Sequence, residues 1–187
     1  MNLTQLAPER LRPIARREYE LMVANGSFAN ERVELLGGVI VQMSPQAAAH
    51  VEAVKRLQYR LLPALLGRAE VLIQSSFGLS EESVPEPDLA VVPPGDYWQR
   101  LPDRAYLLVE VAQMSLRKDR LIKAVLYAEQ GVPEYWLVNL VEKQVEVYRE
   151  PTPAGYRLVT RHGRGETLRL VTFPDVAVRV AEILPPG

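Results

Sequence analysis

The sequence predicts an α/β or α+β domain built on a mixed β-sheet flanked by helices. Three observations carry this: two long segments with helical apolar spacing, β-rich apolar runs on either side of them, and turn signals between the runs. Arg16–Ala24 reads as a short helix, stopped at Asn25-Gly26. "ERVELLGGVIVQMS" is two β-rich runs joined by Gly37-Gly38, a hairpin signal. Ser44 is the expected N-cap and Pro45 the first-turn proline of an amphipathic helix over residues 44–66, with Val51, Val54, Leu57, Leu61 and Leu65 at helical spacing. Strands are predicted over 70–74, 88–92 and 105–111, with "PPGDYWQRLPD" as a loop between the last two that covers or frames a site. Ser115 is expected to cap a helix to about Gln130, with Gly131 at its stop. "PEYWLVNL" and "KQVEVYRE" come next as strands around a polar turn, and residues 155–180 offer two or three more. The whole reads as a single domain over 1–187, a core of about 17–150 with a β extension from 151 to 187.

Composition narrows the function classes. Apolar residues make up 48% and charged residues 24%, an ordinary globular balance. No run of eighteen apolar residues exists to span a membrane, and the first twenty residues lack the apolar segment of a secretory signal. With no cysteine, disulfides and thiolate metal sites are excluded, and a cytoplasmic location is expected. A net charge of −1 does not announce nucleic-acid binding. The basic clusters Arg10, Arg12, Arg16, Arg17 and Arg117, Lys118, Arg120, read alone, are solvated faces more readily than partner sites.

The chemistry begins with "YLLVEV". Glu110 lies inside an apolar strand, where an ionised carboxylate is costly unless positive charge is held beside it. Leu108, Glu110 and Ala112 share one strand face, so Glu110 has a small neighbour and space for another group; a structural ion pair satisfies it equally well. Asp88, in "PEPDLAVV", follows two prolines that fix an extended lead-in. Taken alone it reads as a strand-start aspartate accepting backbone hydrogen bonds. Asp119, Lys123 and Tyr127 fall at i, i+4 and i+8, a polar stripe whose plainest reading is an exposed Asp–Lys pair worth about 0.3–0.5 kcal/mol. Leu116, Ile122, Val125 and Leu126 around it suggest instead a packed helix, from which Lys123 reaches toward Glu110.

"PEPD", some twenty residues, "LLVEV", "D-x-x-x-K-x-x-x-Y" and "GVPEYWLV", preceded by "RVELLGGVIVQMSPQAAAH", together resemble the Uma family of small bacterial proteins in the PD-(D/E)XK, restriction-endonuclease-like superfamily. The resemblance runs from about Arg17 to Arg149. It implies a nuclease-type core with metal at the strand ends, in which Asp88 is the motif aspartate and Glu110 the acid of the E-x-K element. Ala112 stands where that element carries lysine; the resemblance places the lysine at Lys123. Glu34 matches the family's hairpin glutamate, a ligand or water-orienting carboxylate, though a solvated hairpin charge fits the residues as well. Gln113 and Met114 replace positions often polar in relatives. The activity implied by the resemblance is that of a DNA nuclease using Mg²⁺ or Mn²⁺. Asp88, Glu110 and the Val111 carbonyl are its hard oxygen ligands, with Lys123 and Glu34 as catalytic supports. Cutting both strands together takes two sites, hence a homodimer or higher homo-oligomer, and the same site serves for RNA or another phosphoester as a further option. The rival is a catalytically silent nuclease-fold module for nucleic-acid binding or assembly. His50 reads as a packed helix histidine before a phosphate contact, Tyr135-Trp136 as core before a base-stacking platform, and Tyr97 and Trp98 as better candidates for touching a ligand, with ordinary loop residues still the readier reading.

Overall fold

The computed structural model describes residues 12–186. Among these, six strands form one mixed sheet: β3 (Glu70–Ile73), β4 (Leu89–Val92), β5 (Leu107–Ala112), β6 (Glu134–Asn139), β7 (Gln144–Thr152) and β8 (Gly155–His162), in that spatial order. All neighbours are antiparallel except β5 and β6, which run parallel with Val111 opposite Val138. That one parallel pair requires a crossover, supplied by the helical segment between them. β4, β5 and β6 are buried along their whole length, which explains why "LAVV", "LLVEVA" and "EYWLVN" read as continuous apolar runs rather than alternating ones. No helix among the described residues is long and apolar enough to cross a membrane.

One face of the sheet is covered by α2 (Ala48–Leu65), whose Val54, Leu57, Leu61 and Leu65 pack on Val91, Val109, Val111 and Trp136. The C-terminal segment completes this core: β9 (Thr167–Arg169), β10 (Ala177–Arg179) and α5 (Val180–Ile183) bring Leu168, Val178 and Ile183 to it. The expected start of α2 is corrected. Residues 44–47 are outside the helix, whose N-cap is Ala47 with no capping side chain; the Ser-Pro signal opens a loop that forms one wall of a cavity. Ser115 likewise precedes its helix without a side-chain capping bond.

The second face meets α3 (Leu116–Lys118), a π-helical turn (Asp119–Lys123) and α4 (Ala124–Glu129). In the π turn the Ala124 N–H donates to the Asp119 carbonyl, five residues back. Arg120 ties this turn to the sheet, its Nε donating at 3.0 Å to both carboxylate oxygens of Glu146 on β7. Glu146 is buried; its desolvation is outweighed by hydrogen bonds from Arg120, Tyr148 and Asn139, which hold its carboxyl below the ordinary range. A depressed carboxyl contributes stability that is full above about pH 4.3, where the unfolded chain's glutamates ionise, and is lost as pH falls through the lower folded value. In urea unfolding from pH 7 to 3, the stability gap between wild type and Glu146→Gln is therefore expected to narrow in acid. A gap that stays constant would refute this assignment.

The hairpin of β1 (Val33–Leu36) and β2 (Val39–Gln42) stands beside the sheet, docked by hydrogen bonds in both directions between Leu35 and Val84. Gly37 and Gly38 both have positive φ, as a two-residue primed turn demands. A β-carbon on Gly38 would also lie 2.3 Å from that of Pro13. Gly38→Ala is expected to cost about 1–3 kcal/mol by combining backbone strain with overpacking, read as a lowered urea midpoint.

Candidate active site

Asp88 lies just ahead of β4, where the antiparallel ladder brings it beside β5. The Val111 N–H donates to its Oδ2 at 2.8 Å. On a strand, N–H and C=O of one residue leave by the same edge; the Ala112 carbonyl accepts from Leu140 on the β6 side, so the Val111 carbonyl is directed to the Asp88 side. Asp88 Oδ1 is joined to His50 Nε2 at 2.8 Å and accepts from the Gln74 amide at 3.3 Å. Gln74 has φ +46°, a left-handed backbone uncommon outside glycine, at the end of β3.

Glu110 projects from the β5 face opposite α2, toward the π turn. Its Oε1 accepts from Lys123 Nζ and from the Tyr127 hydroxyl, both at 2.7 Å. Its Oε2 makes no hydrogen bond among the described residues. Lys123 Nζ also lies 2.9 Å from Glu34 Oε2, and Lys118 pairs with Glu34 Oε1. Glu34, Glu110 and Lys123 are all at most 5% exposed, so the chain Lys118–Glu34–Lys123–Glu110–Tyr127 is a buried ionic network. Glu34 is therefore no solvated hairpin charge, and Asp119–Lys123 is no exposed pair.

The electrostatics of this network are lopsided. Burial opposes the charge on Lys123, but Glu110, Glu34 and Asp119 outweigh it and raise the ammonium above its ordinary range. Burial likewise opposes ionisation of Glu34, yet Lys123 and Lys118 hold that carboxyl down. Glu110 goes the other way: burial pushes it up, Lys123 offsets this in part, and Asp119, Asp88 and Glu34 add to the rise. The site is short of positive charge.

Asp88, Glu110, Lys118, Lys123 and His50 line one narrow cavity of about 60 Å³, walled by the loop before α2. The donors suit a particular kind of cation. No group of three or more His, Cys, Asp or Glu side chains forms a metal cage among the described residues. Two carboxylates, one carbonyl and space for water are what Mg²⁺ or Mn²⁺ takes, because such ions keep several waters and complete their shell with substrate oxygens. Asp88, Glu110 and Val111 fit that group.

Comparison with protein families matches residues 17–181 to the Uma2 family, described as "Putative restriction endonuclease". The chain belongs to the Uma2 family. The match extends past Arg149 through β8, β9 and β10, beyond the stretch that carries the sequence resemblance. The Uma2 chain also shares the fold of a protein from Anabaena variabilis described as a putative nuclease belonging to DUF820, with a TM-score of 0.67 and 15% identity over 91% of this chain and 97% of that one. A weaker likeness is to the type IIG restriction endonuclease BpuSI, TM-score 0.37 and 17% identity, covering 58% of this chain and 13% of that one. Comparison with curated proteins gives no match. The architecture, a mixed sheet with helices on both faces, is thus one shared with the Anabaena protein, in a family described as putative restriction endonucleases.

Within this Uma2 chain the four acids and amines singled out from sequence, Asp88, Glu110, Lys123 and Glu34, converge. Four contacts of theirs were not expected: Gln74 and His50 on Asp88, Tyr127 on Glu110 and Lys118 on Glu34. Only the spacing of Tyr127 behind Lys123 carried a signal. Two expectations are corrected. The loop after β4 lies at the sheet end away from Asp88, so Tyr97 and Trp98 do not line this cavity, and Trp98 is 91% exposed. The helix over the site is packed by its polar side, leaving Leu121, Ile122 and Val125 outside. Of the basic clusters, Arg12, Arg17 and Arg117 are exposed, as a solvated face requires, and Arg16, Lys118 and Arg120 are half-buried in ion pairs; Arg10 lies outside the described residues.

Proposed function

We propose that the chain is a cytoplasmic DNA nuclease that hydrolyses phosphodiester bonds with Mg²⁺ or Mn²⁺. The observation supporting this best is the convergence of Asp88 and Glu110, with Glu110 Oε2 unbonded, on a cavity deficient in positive charge. Membership of the Uma2 family agrees with it. Asp88, Glu110 and the Val111 carbonyl would hold the cation. When bound, the cation supplies an acidified water and neutralises charge on the phosphoryl oxygens. Lys123 is clamped between Glu34 and Glu110, so its ammonium would be held in place beside the cavity before substrate arrives, with little reorganisation needed as negative charge develops there. His50 and Gln74 fix the Asp88 carboxylate. Cutting both strands together calls for a second copy of the chain.

The direct Lys123–Glu110 pair at 2.7 Å, with Ala112 on the same strand face, favours one other reading: a nuclease scaffold that binds nucleic acid without turnover. Calorimetry with Mg²⁺ and Mn²⁺, followed by cleavage assays on single- and double-stranded DNA and on RNA, separates them. Cation binding with cation-dependent DNA cleavage is expected. Cation binding absent together with salt-sensitive DNA binding would establish the scaffold reading, and cleavage of RNA alone would reassign the substrate.

A further inference from the structure

The cavity contains one acid that the proposed chemistry leaves unused. Asp119 opens the π-helical turn and is 1% exposed, yet neither carboxylate oxygen has a hydrogen-bond partner among the described residues. No other side chain there has buried polar atoms left in this state. Burying a carboxylate without donors is costly, and folded chains keep such a group where something outside the protein supplies the donors. π-helical turns recur at functional sites.

The surroundings of Asp119 identify what those donors are. Lys123 and Lys118 stand nearby but are committed to Glu110 and Glu34, so neither ammonium closes on Asp119. Ser115, one turn earlier, is close without making a hydrogen bond of good geometry. Glu34, from β1, also faces it and adds like charge. Asp119 lines the same cavity as Asp88, Glu110 and Val111, and its charge acts on Glu110 more strongly than that of Asp88 or Glu34 does. It nonetheless belongs to no cluster of three acids able to grip one ion directly. An acid that lines the ion's cavity without belonging to a direct cage is placed to act on the ion through its waters. Mg²⁺ gives up its waters reluctantly, and those waters are O–H donors.

We propose that Asp119 is a positioning residue that accepts hydrogen bonds from the water shell of a divalent cation held at Asp88 and Glu110. The inference rests on the cation-dependent reading above. It gives the orphaned carboxylate its donors and fixes the orientation of the hydrated ion. It also accounts for the acid being retained: Asp119 is a cost to the cation-free fold and a gain only when the ion is present.

The test is calorimetry with two probes, Mg²⁺ and hexamminecobalt(III), an inert complex whose ammine ligands donate hydrogen bonds but do not exchange for protein oxygens. Wild type is expected to bind both, the complex through hydrogen bonds from its ammines alone; wild type that binds Mg²⁺ but not the complex would overturn the inference. Asp119→Asn is expected to melt, free of metal, at or above the wild-type temperature, to bind Mg²⁺ about 10–100-fold more weakly, the usual penalty for losing an outer-shell partner, and to lose hexamminecobalt(III) binding. Asp119→Ser, which leaves room for a water, should show the same two binding losses. If either folded variant binds both probes like wild type, the inference is overturned while the cation reading stands. A metal-free melting temperature lowered in both variants would make Asp119 structural and overturn it too. Wild type that binds neither probe removes the cation reading itself, and this inference with it.

Discussion

Asp88→Asn and Glu110→Gln are each expected to lower cation-dependent DNA cleavage about a thousand-fold or more, with the fold intact. Each change removes one negative charge from a site where that charge holds the cation, and electrostatic stabilisation by a bound cation is worth several kcal/mol, with each 1.36 kcal/mol a factor of ten in rate. Each is close to isosteric. The asparagine amide would keep an oxygen for the Val111 N–H. The glutamine amide would keep one for Lys123 and Tyr127 while turning its N–H₂ toward the cavity. The measurements are cleavage rate against Mg²⁺ concentration and a thermal melt. Both variants cutting at the wild-type rate would end the nuclease proposal; loss of cutting with loss of the melting transition would call for Asp88→Glu in place of the amide.

Lys123→Met should have the largest effect on stability. Met matches the length of the side chain but leaves Glu110 and Glu34, both buried, without the ammonium that they share. Breaking a buried pair by removing one partner costs about 3–5 kcal/mol, a large part of the 5–15 kcal/mol that holds a domain together. The sign of the pH dependence follows from Glu110. Burial already pushes that carboxyl up, and without Lys123 it rises further, so it takes up a proton as pH falls and the deficit of the variant shrinks. Urea midpoints at pH 7 and pH 5 check this, and adding Glu110→Gln to Lys123→Met should recover part of the loss. A Lys123→Met protein unfolding at the wild-type midpoint at both pH values would show that the network contributes nothing.

Much of this is legible in the sequence alone. Apolar runs and turn residues locate the central strands, because β4, β5 and β6 are buried on both sides and leave long unbroken signals. Glu110 stands out because a carboxylate inside such a run needs a partner, and the structure supplies two. Other features have no local signature. Ser44-Pro45 carries the same capping chemistry whether a helix starts there or four residues later, and the cavity wall decides. The π turn is written in no periodicity, and helical spacing of Ile122 and Val125 argues for packing that the ionic network overrides by drawing the polar side inward, while Leu116 and Leu126 do pack. Tyr97 and Trp98 are near Asp88 along the chain but not in space, since β4 carries the chain to the far end of the sheet. The contact of Gln74 with Asp88 depends on a backbone conformation that its residue type does not advertise.

The π turn has a consequence for how this chain tolerates change in length. Five residues occupy one turn between Asp119 and Lys123 where an ordinary helix uses about 3.6, so removing a single residue there would restore an ordinary helix and leave everything downstream on nearly its present face. A deletion in α4 ahead of Tyr127 has no such slack and would rotate that hydroxyl by about 100° away from Glu110. A deletion in the polar turn between β6 and β7 carries no such penalty, because both strands keep their faces set by their own pairing. Length variation is thereby confined to the connections and to the π turn itself, while α4 is held to a fixed count of residues by the acid beneath it.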